Sequence, residues 1–206
     1  MPMPRRTRHR RTLLALAVST AVALASAGCA ADAGAGADPS VIPDDIASRL
    51  DALDEAVAGW RTADDVAMAW KHAEAARNLI VGPDGPFYGD ADGDGTVEGA
   101  SEAGLLPGLG GEAGRAQPPA NACVERDVLG GDWDDPQDRW DEFSATLAEW
   151  APGNNTMPQL ASHPQRVVGW ATLTLDAESL DAAREYAGHA QLHVDITRSA
   201  YISCAD

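Results

Sequence analysis

Between residues 90 and 102 the chain reads Asp90-Ala91-Asp92-Gly93-Asp94-Gly95-Thr96-Val97-Glu98, followed by Glu102, so three carboxylates alternate at 90, 92 and 94 and two more follow at 98 and 102. Alternate acidic residues separated by small ones can turn several oxygens toward one point, and a hard divalent cation suits such a point. Gly95 permits the sharp turn. Charge argues in the same direction. No Lys or Arg lies between Arg77 and Arg115, while Asp84, Asp90, Asp92, Asp94, Glu98, Glu102 and Glu112 accumulate there. Mutual repulsion disfavours a compact loop of this composition unless a cation neutralises it. The expected ligands are Asp90, Asp92, Asp94, Thr96, Glu98 and Glu102, and the expected ion is calcium.

The first nine positions of this loop resemble the EF-hand calcium loop, and the resemblance implies that Thr96 offers its backbone carbonyl, that Val97 points inward, and that calcium affinity lies in the extracellular range of roughly 10⁻⁴ to 10⁻³ M. The match ends at the twelfth position, where the family's bidentate glutamate is Ser101 and the nearest carboxylate, Glu102, comes one place late. Gly82-Pro83-Asp84-Gly85-Pro86 before the loop, and Gly104 and Pro107 after it, bar the flanking helices of a helix-loop-helix sensor. The loop is closer to the isolated D-x-D-x-D-G loops of extracellular modules, in which the ion ties down a loop.

A second candidate chemistry is transition-metal or haem binding. His189 and His193 are four apart on a predicted helix and project from one face, and His72 completes a ligand set if the second and last helices touch. His163, before Pro164 in a loop, carries less information. There is no H-E-x-x-H, no C-x-x-C-H, no G-x-S-x-G and no Gly-rich phosphate loop. Paired carboxylates are too abundant in this chain to single out a catalytic pair, so no catalytic residue is assigned and the chain does not read as an enzyme.

The elements that must position these residues are helical. Ile46, Leu50, Leu53, Val57 and Trp60 alternate spacings of four and three behind Pro43, giving a helix over 44–60. A second runs from Thr62 to Val81 with Val66, Ala69, Ala73, Ala76 and Ile80 on one face, and Gly82-Pro83 stops it. Asp132-Trp133-Asp134-Asp135 caps a third, carrying Trp140, Phe143, Leu147 and Trp150. A shorter one covers Pro164 to about Leu175. The last, from Ala177 to about Ile202, has Leu180, Ala183, Ala187, Ala190, Val194, Thr197 and Tyr201 as its stripe and Leu192 with Ile196 on a second face. The fold class is mainly α, a four- to five-helix bundle with a long Gly/Pro/Asp-rich loop, 82–132, after the second helix. A structureless run that long is unusual inside a compact domain, so something must order it.

The amino terminus reads as targeting. Five arginines and no acid occupy residues 1–12, and 13–27 are uncharged and small or apolar, shorter than the roughly 20 residues a membrane-spanning helix needs. Residues 1–28 are therefore a signal peptide, 29–42 a tether, and 43–206 one helical domain. Ala25-Ser26-Ala27 offers cleavage to a soluble protein, whereas Ser26-Ala27-Gly28-Cys29 resembles the lipobox of bacterial lipoproteins, departing from it at Ser26, where that family usually has Leu. The resemblance implies a diacylated Cys29 and a membrane anchor at the outer face. Cysteine parity favours it, because acylating Cys29 leaves Cys123 and Cys204 to pair in an oxidising compartment. His9-Arg10-Arg11-Thr12-Leu13-Leu14 is similar to a twin-arginine signal, so Sec and Tat export both remain open. The Ala- and Arg-rich usage, with one lysine, resembles that of high-GC actinobacteria. Past the leader, the other ten of the 15 basic residues face 32 acidic ones, a net charge of −22. Such a field repels nucleic acid and attracts cations, leaving an unidentified protein or ligand as partner.

Overall fold

The computed structural model describes residues 42–149 and 160–204, so the leader, Cys29 and nearly all of the tether lie outside the described residues. Five α-helices run in chain order: α1 Asp44–Thr62, α2 Val66–Val81, α3 Pro136–Glu149, α4 His163–Leu175 and α5 Leu180–Ile202, with a π-helical turn, Val124–Leu129, ahead of α3. Among the described residues there is no strand. The protein is mainly α, as the spacing of its apolar residues requires.

The apolar stripes become the core. Ile46, Leu50, Leu53, Val57 and Trp60 of α1 are all buried. On α2 the buried positions include Ala69, Ala73 and Ala76, small residues that let neighbouring helices approach closely. α1 packs on α2 and α5, α2 also on α4, and α4 on α5, which makes a four-helix bundle. α3 sits apart from that bundle and meets the long loop. Trp140 Nε1 donates to the Pro107 carbonyl at 3.0 Å, and Phe143 packs edge-on against Phe87 with centroids 5.2 Å apart.

Two boundaries, one turn and one face differ from the sequence reading: α5 starts at Leu180, capped by Ser179, not at Ala177. α2 starts at Val66, not Thr62, because the chain breaks at Ala63 and Asp65 caps the new helix by accepting from the Met68 N–H at 2.8 Å. The π-helical turn has no apolar period to reveal it. The second apolar face expected on α5 is not buried: Leu192 is 54% exposed, so α5 packs through the single stripe Ala183, Ala187, Ala190, Val194, Thr197 and Tyr201. Of the five tryptophans at or near the helix stripes, expected in the core, Trp60, Trp140 and Trp170 are buried, Trp70 is only half-buried, and Trp150 lies outside the described residues.

Polar atoms of the helices, together with two leucines, order the long loop. Leu105 and Leu106 are buried in the core, and the Leu106 N–H donates to the Ile80 carbonyl at 3.0 Å. Gly82 and Gly104 touch through bare backbone, since a Cβ on Gly82 would stand 2.2 Å from the Gly104 nitrogen. Arg49 reaches from α1, with its guanidinium donating to the carbonyls of Leu79 at 3.4 Å and Ala103 at 3.0 Å. Burial, then repulsion from Arg115, lowers the pKa of Arg49. A Cys123–Cys204 disulfide staples the end of the loop to the end of α5, with Cα atoms 5.6 Å apart.

Candidate metal centre

α2 lies against the acidic loop and presents two polar side chains to it, Glu74 and Asn78, spaced one helical turn apart. Both are fully buried. The Asn78 amide donates to the carbonyls of Gly89 at 3.1 Å and Glu98 at 2.8 Å, and its oxygen accepts from the Gly89 N–H at 3.1 Å. Glu74 accepts from three loop amides: Ala91 and Asp92 at Oε2, the latter at 3.0 Å, and Glu98 at Oε1, at 2.8 Å. These six bonds clamp both arms of the loop to one helix.

Within the loop, each aspartate folds the backbone around itself. Asp90 accepts from the N–H groups of Gly93 at 2.8 Å and Gly95 at 3.0 Å, Asp92 from Asp94 at 2.9 Å, and Asp94 from Thr96 at 2.7 Å. Gly95, at φ +90°, supplies the left-handed turn expected of it, whereas Val97, expected to point inward, is 47% exposed. The result gathers Glu74, Asp90 and Asp92, whose carboxylate oxygens lie within 4.8 Å of one another. Among the described residues this is the one group of three His, Cys, Asp or Glu side chains that meets so closely.

The structure divides the sequence-expected ligands. Asp90 and Asp92 come together with Glu74. Asp94 and Glu98 are instead ion-paired to Lys71 of α2, whose Nζ stands 2.6 Å from Glu98 Oε1 and 3.9 Å from Asp94 Oδ2. The bond to Glu98, first, and the nearby acids raise the Lys71 pKa. Thr96 stays in the loop, its N–H on Asp94. Glu102 turns away to pair with Arg115, which also donates to the Ala103 carbonyl at 3.1 Å.

Lys71 thus pairs with two of the carboxylates and leaves the other three without an ion pair. Among the described residues no ion pair reaches Glu74, Asp90 or Asp92. The Asp92 carboxyl is pushed above the usual carboxylate range by burial and by repulsion from Glu74, Asp94 and Asp90, against the Asp94 amide that donates to it. Chemically, the arrangement offers anionic oxygens on a fixed backbone and no nucleophile.

Glu74 and Lys71 are the residues that sequence reasoning about the loop did not reach. One signal was present: Glu74 and Asn78 are four apart on α2, next to the apolar stripe, where a helix of this kind normally places small or apolar residues.

The expected histidine set is dispersed. His72 is half-buried over α1, its ring so close to Gly59 that a Cβ there would lie 2.5 Å from it. Burial, then the neighbouring Lys71 charge, lowers its pKa. His189 stacks on Trp170, with centroids 4.4 Å apart and planes at 11°. His193 meets His163, with Nδ1 atoms 2.9 Å apart.

Fold and site define a small, disulfide-bridged, all-α domain with an acidic loop clamped to a core helix. Comparison with protein-family models, with curated proteins and with solved structures returns no match for the chain.

Proposed function

We propose that the protein is a lipid-anchored, extracytoplasmic binding or scaffold module whose Asp90–Glu98 loop takes one calcium ion, with Glu74 of α2 as the carboxylate that the loop itself lacks. One observation carries the reading: the oxygens of Glu74, Asp90 and Asp92 lie within 4.8 Å of one another. Calcium–oxygen bonds are about 2.3–2.6 Å long, so ligands on opposite sides of one ion stand about 5 Å apart, and three atoms this close can share it. The Thr96 carbonyl and water complete a sphere of six to eight oxygens. The ion's role is structural: it neutralises the loop and holds it on α2.

The test is thermal unfolding with calcium and with chelator. At a dissociation constant of about 1 mM, tenfold excess calcium adds about 1.4 kcal/mol, a rise in Tm of about 3–5 °C for a domain of this size. Asp90→Asn with Asp92→Asn should abolish the rise. Identical melting in calcium and in chelator would remove calcium from the reading. The anchor is tested separately by mass spectrometry of the mature amino terminus, where a diacylated Cys29 is expected and a free Gly28 would show a soluble secreted protein instead.

A further inference from the structure

A cleft of about 340 Å³ opens between α1 and the 99–102 segment of the long loop, and none of Glu74, Asp90 and Asp92 lines it. Ligand clefts run from about 300 to 1,000 Å³, so this one suits a small molecule. Arg49 reaches it from α1, Ala52, Leu79 and Ala100 give it apolar walls, and Ser101 adds a hydroxyl.

Arg49 is the unusual member. It is 7% exposed, and its guanidinium donates to two neutral carbonyls, those of Leu79 at 3.4 Å and Ala103 at 3.0 Å. A guanidinium carries five N–H donors, and among the described residues the other three have no partner and no carboxylate is bonded to them. Buried cations are normally paired, because leaving water without a counter-charge is costly. The chain has 32 acidic residues, yet none is placed on this guanidinium.

Arg115 stands beside it with the opposite imbalance. Its Nε donates to the same Ala103 carbonyl at 3.1 Å, so nitrogens of the two guanidiniums are no more than about 6 Å apart. Arg115 is bonded to Glu102 and lies 3.7 Å from Asp45, two carboxylates for one cation, and both acids line the cleft with side chains more than half exposed. The cleft therefore has one positive charge in excess at its buried end and one negative charge in excess at its rim. Burial and Arg115 lower the Arg49 pKa and Glu102 raises it, and an anion on Arg49 would add the counter-charge that burial calls for.

We propose that this cleft binds a small free α-amino acid as the zwitterion, with its carboxylate on Arg49 and its ammonium at Glu102 and Asp45. The two charges of an α-amino acid sit on one carbon, which matches a cation and an anionic rim this close together. The planar guanidinium fork takes a carboxylate through two N–H donors, and Arg49 has three to spare. Glu102 and Asp45 select against a plain anion, and Ala52, Leu79 and Ala100 accommodate a short apolar side chain. The inference gives the binding role proposed above a ligand, and it depends neither on calcium at the acidic loop nor on the lipid anchor.

The experiment is isothermal titration calorimetry of the full chain, in calcium and again in chelator. L-alanine and L-valine are the probes, and propionate and ethylammonium stand for the two halves of alanine. At least one amino acid is expected to saturate a single site, at least about tenfold more tightly than either half-ligand. Arg49→Gln should weaken binding at least about tenfold, and so should Ala52→Phe, which fills the cleft and keeps both arginines. Asp45→Asn with Glu102→Gln should remove the preference for the amino acid over propionate. Circular dichroism and urea unfolding show that each variant is folded, and if Arg49→Gln is not, Ala52→Phe decides. No binding of either amino acid, propionate binding as tightly as alanine, or undiminished binding in folded Arg49→Gln or Ala52→Phe would each overturn the assignment. Amino-acid binding that persists where calcium leaves the melting unchanged removes the ion from the loop and upholds the cleft.

Discussion

Replacing Glu74 by glutamine changes one atom and tests the clamp directly. The carboxylate is fully buried and accepts from three loop amides, two at Oε2 and one at Oε1. A glutamine has one accepting oxygen, so its amide must turn an NH₂ toward at least one of those N–H groups. The better orientation keeps the Ala91 and Asp92 bonds and leaves the Glu98 N–H facing a donor, at a cost of about 1–3 kcal/mol for the unpaired group. The two surviving bonds lose their charge assistance, which roughly halves their strength. Against this, removing a buried charge relieves desolvation and the repulsion from Asp90 and Asp92. A net destabilisation of about 2 kcal/mol is expected without calcium, together with loss of any stabilisation by calcium. Urea unfolding followed by tryptophan fluorescence measures the first, and hydrogen exchange at Ala91, Asp92 and Glu98 localises it, with protection falling about 30-fold if those amides open with the clamp. Stability within about 0.5 kcal/mol of the parent, with unchanged exchange at the three amides, would refute the clamp.

Asn78→Ala removes the other half of the same clamp, three hydrogen bonds from a buried amide, and should cost about 2–4 kcal/mol in urea unfolding; a neutral effect would mean that the loop holds its shape through its own aspartates. Reducing the Cys123–Cys204 bridge opens a loop with a sequence separation of 81 and should lower stability by about 4.5 kcal/mol on the chain-entropy model, read as a fall in the urea midpoint with reductant. Stability should also fall in acid, because the unfolded chain protonates His193 near pH 6.5 while burial holds the folded ring to about 3. In chelator this stability is fully present above about pH 6.5, and about 2 kcal/mol of it is lost between pH 7 and pH 5. His193→Asn should flatten the dependence by that amount, and parallel profiles for variant and parent would contradict the burial argument.

What the sequence made legible is whatever depends on neighbours along the chain. The stripes of α1 and α5 read correctly because helical spacing is a local property, and the sharp turn at Gly95 because only a residue without a side chain takes that backbone easily. The start of α2 was misplaced although its signal was present, Asp65 three residues ahead of the N–H it caps. The order of the long loop was not legible, because its partners are distant: Arg49 on Ala103, Trp140 on Pro107, and Glu74 and Asn78 on both arms of the acidic segment. The His163–His193 contact belongs to the same class, since it joins a helix start to a position 30 residues later.

The acidic loop shows why counting carboxylates alone does not locate a metal centre. Five acids, Glu74, Asp90, Asp92, Asp94 and Glu98, converge on the side of α2, and one ammonium, Lys71, is set among them. Had Lys71 pointed at the middle of the group, it would have served as the loop's own cation. It stands instead at the edge, bonded to Glu98 and near Asp94, so the acids separate into a pair bridged to Lys71 and a trio that no ion pair reaches among the described residues. The trio contains the buried carboxylate that a rigid core helix holds in place, and its members are within reach of a single ion. Glu74 is already fixed by three amides, and Asp90 by two, so little conformational entropy is left for a ligand to remove. Burial first, and then the same fixed negative charges, raise the Asp92 pKa. A divalent ion at the trio would therefore compete with a proton on Asp92, and its affinity should weaken as the pH falls toward the carboxylate range.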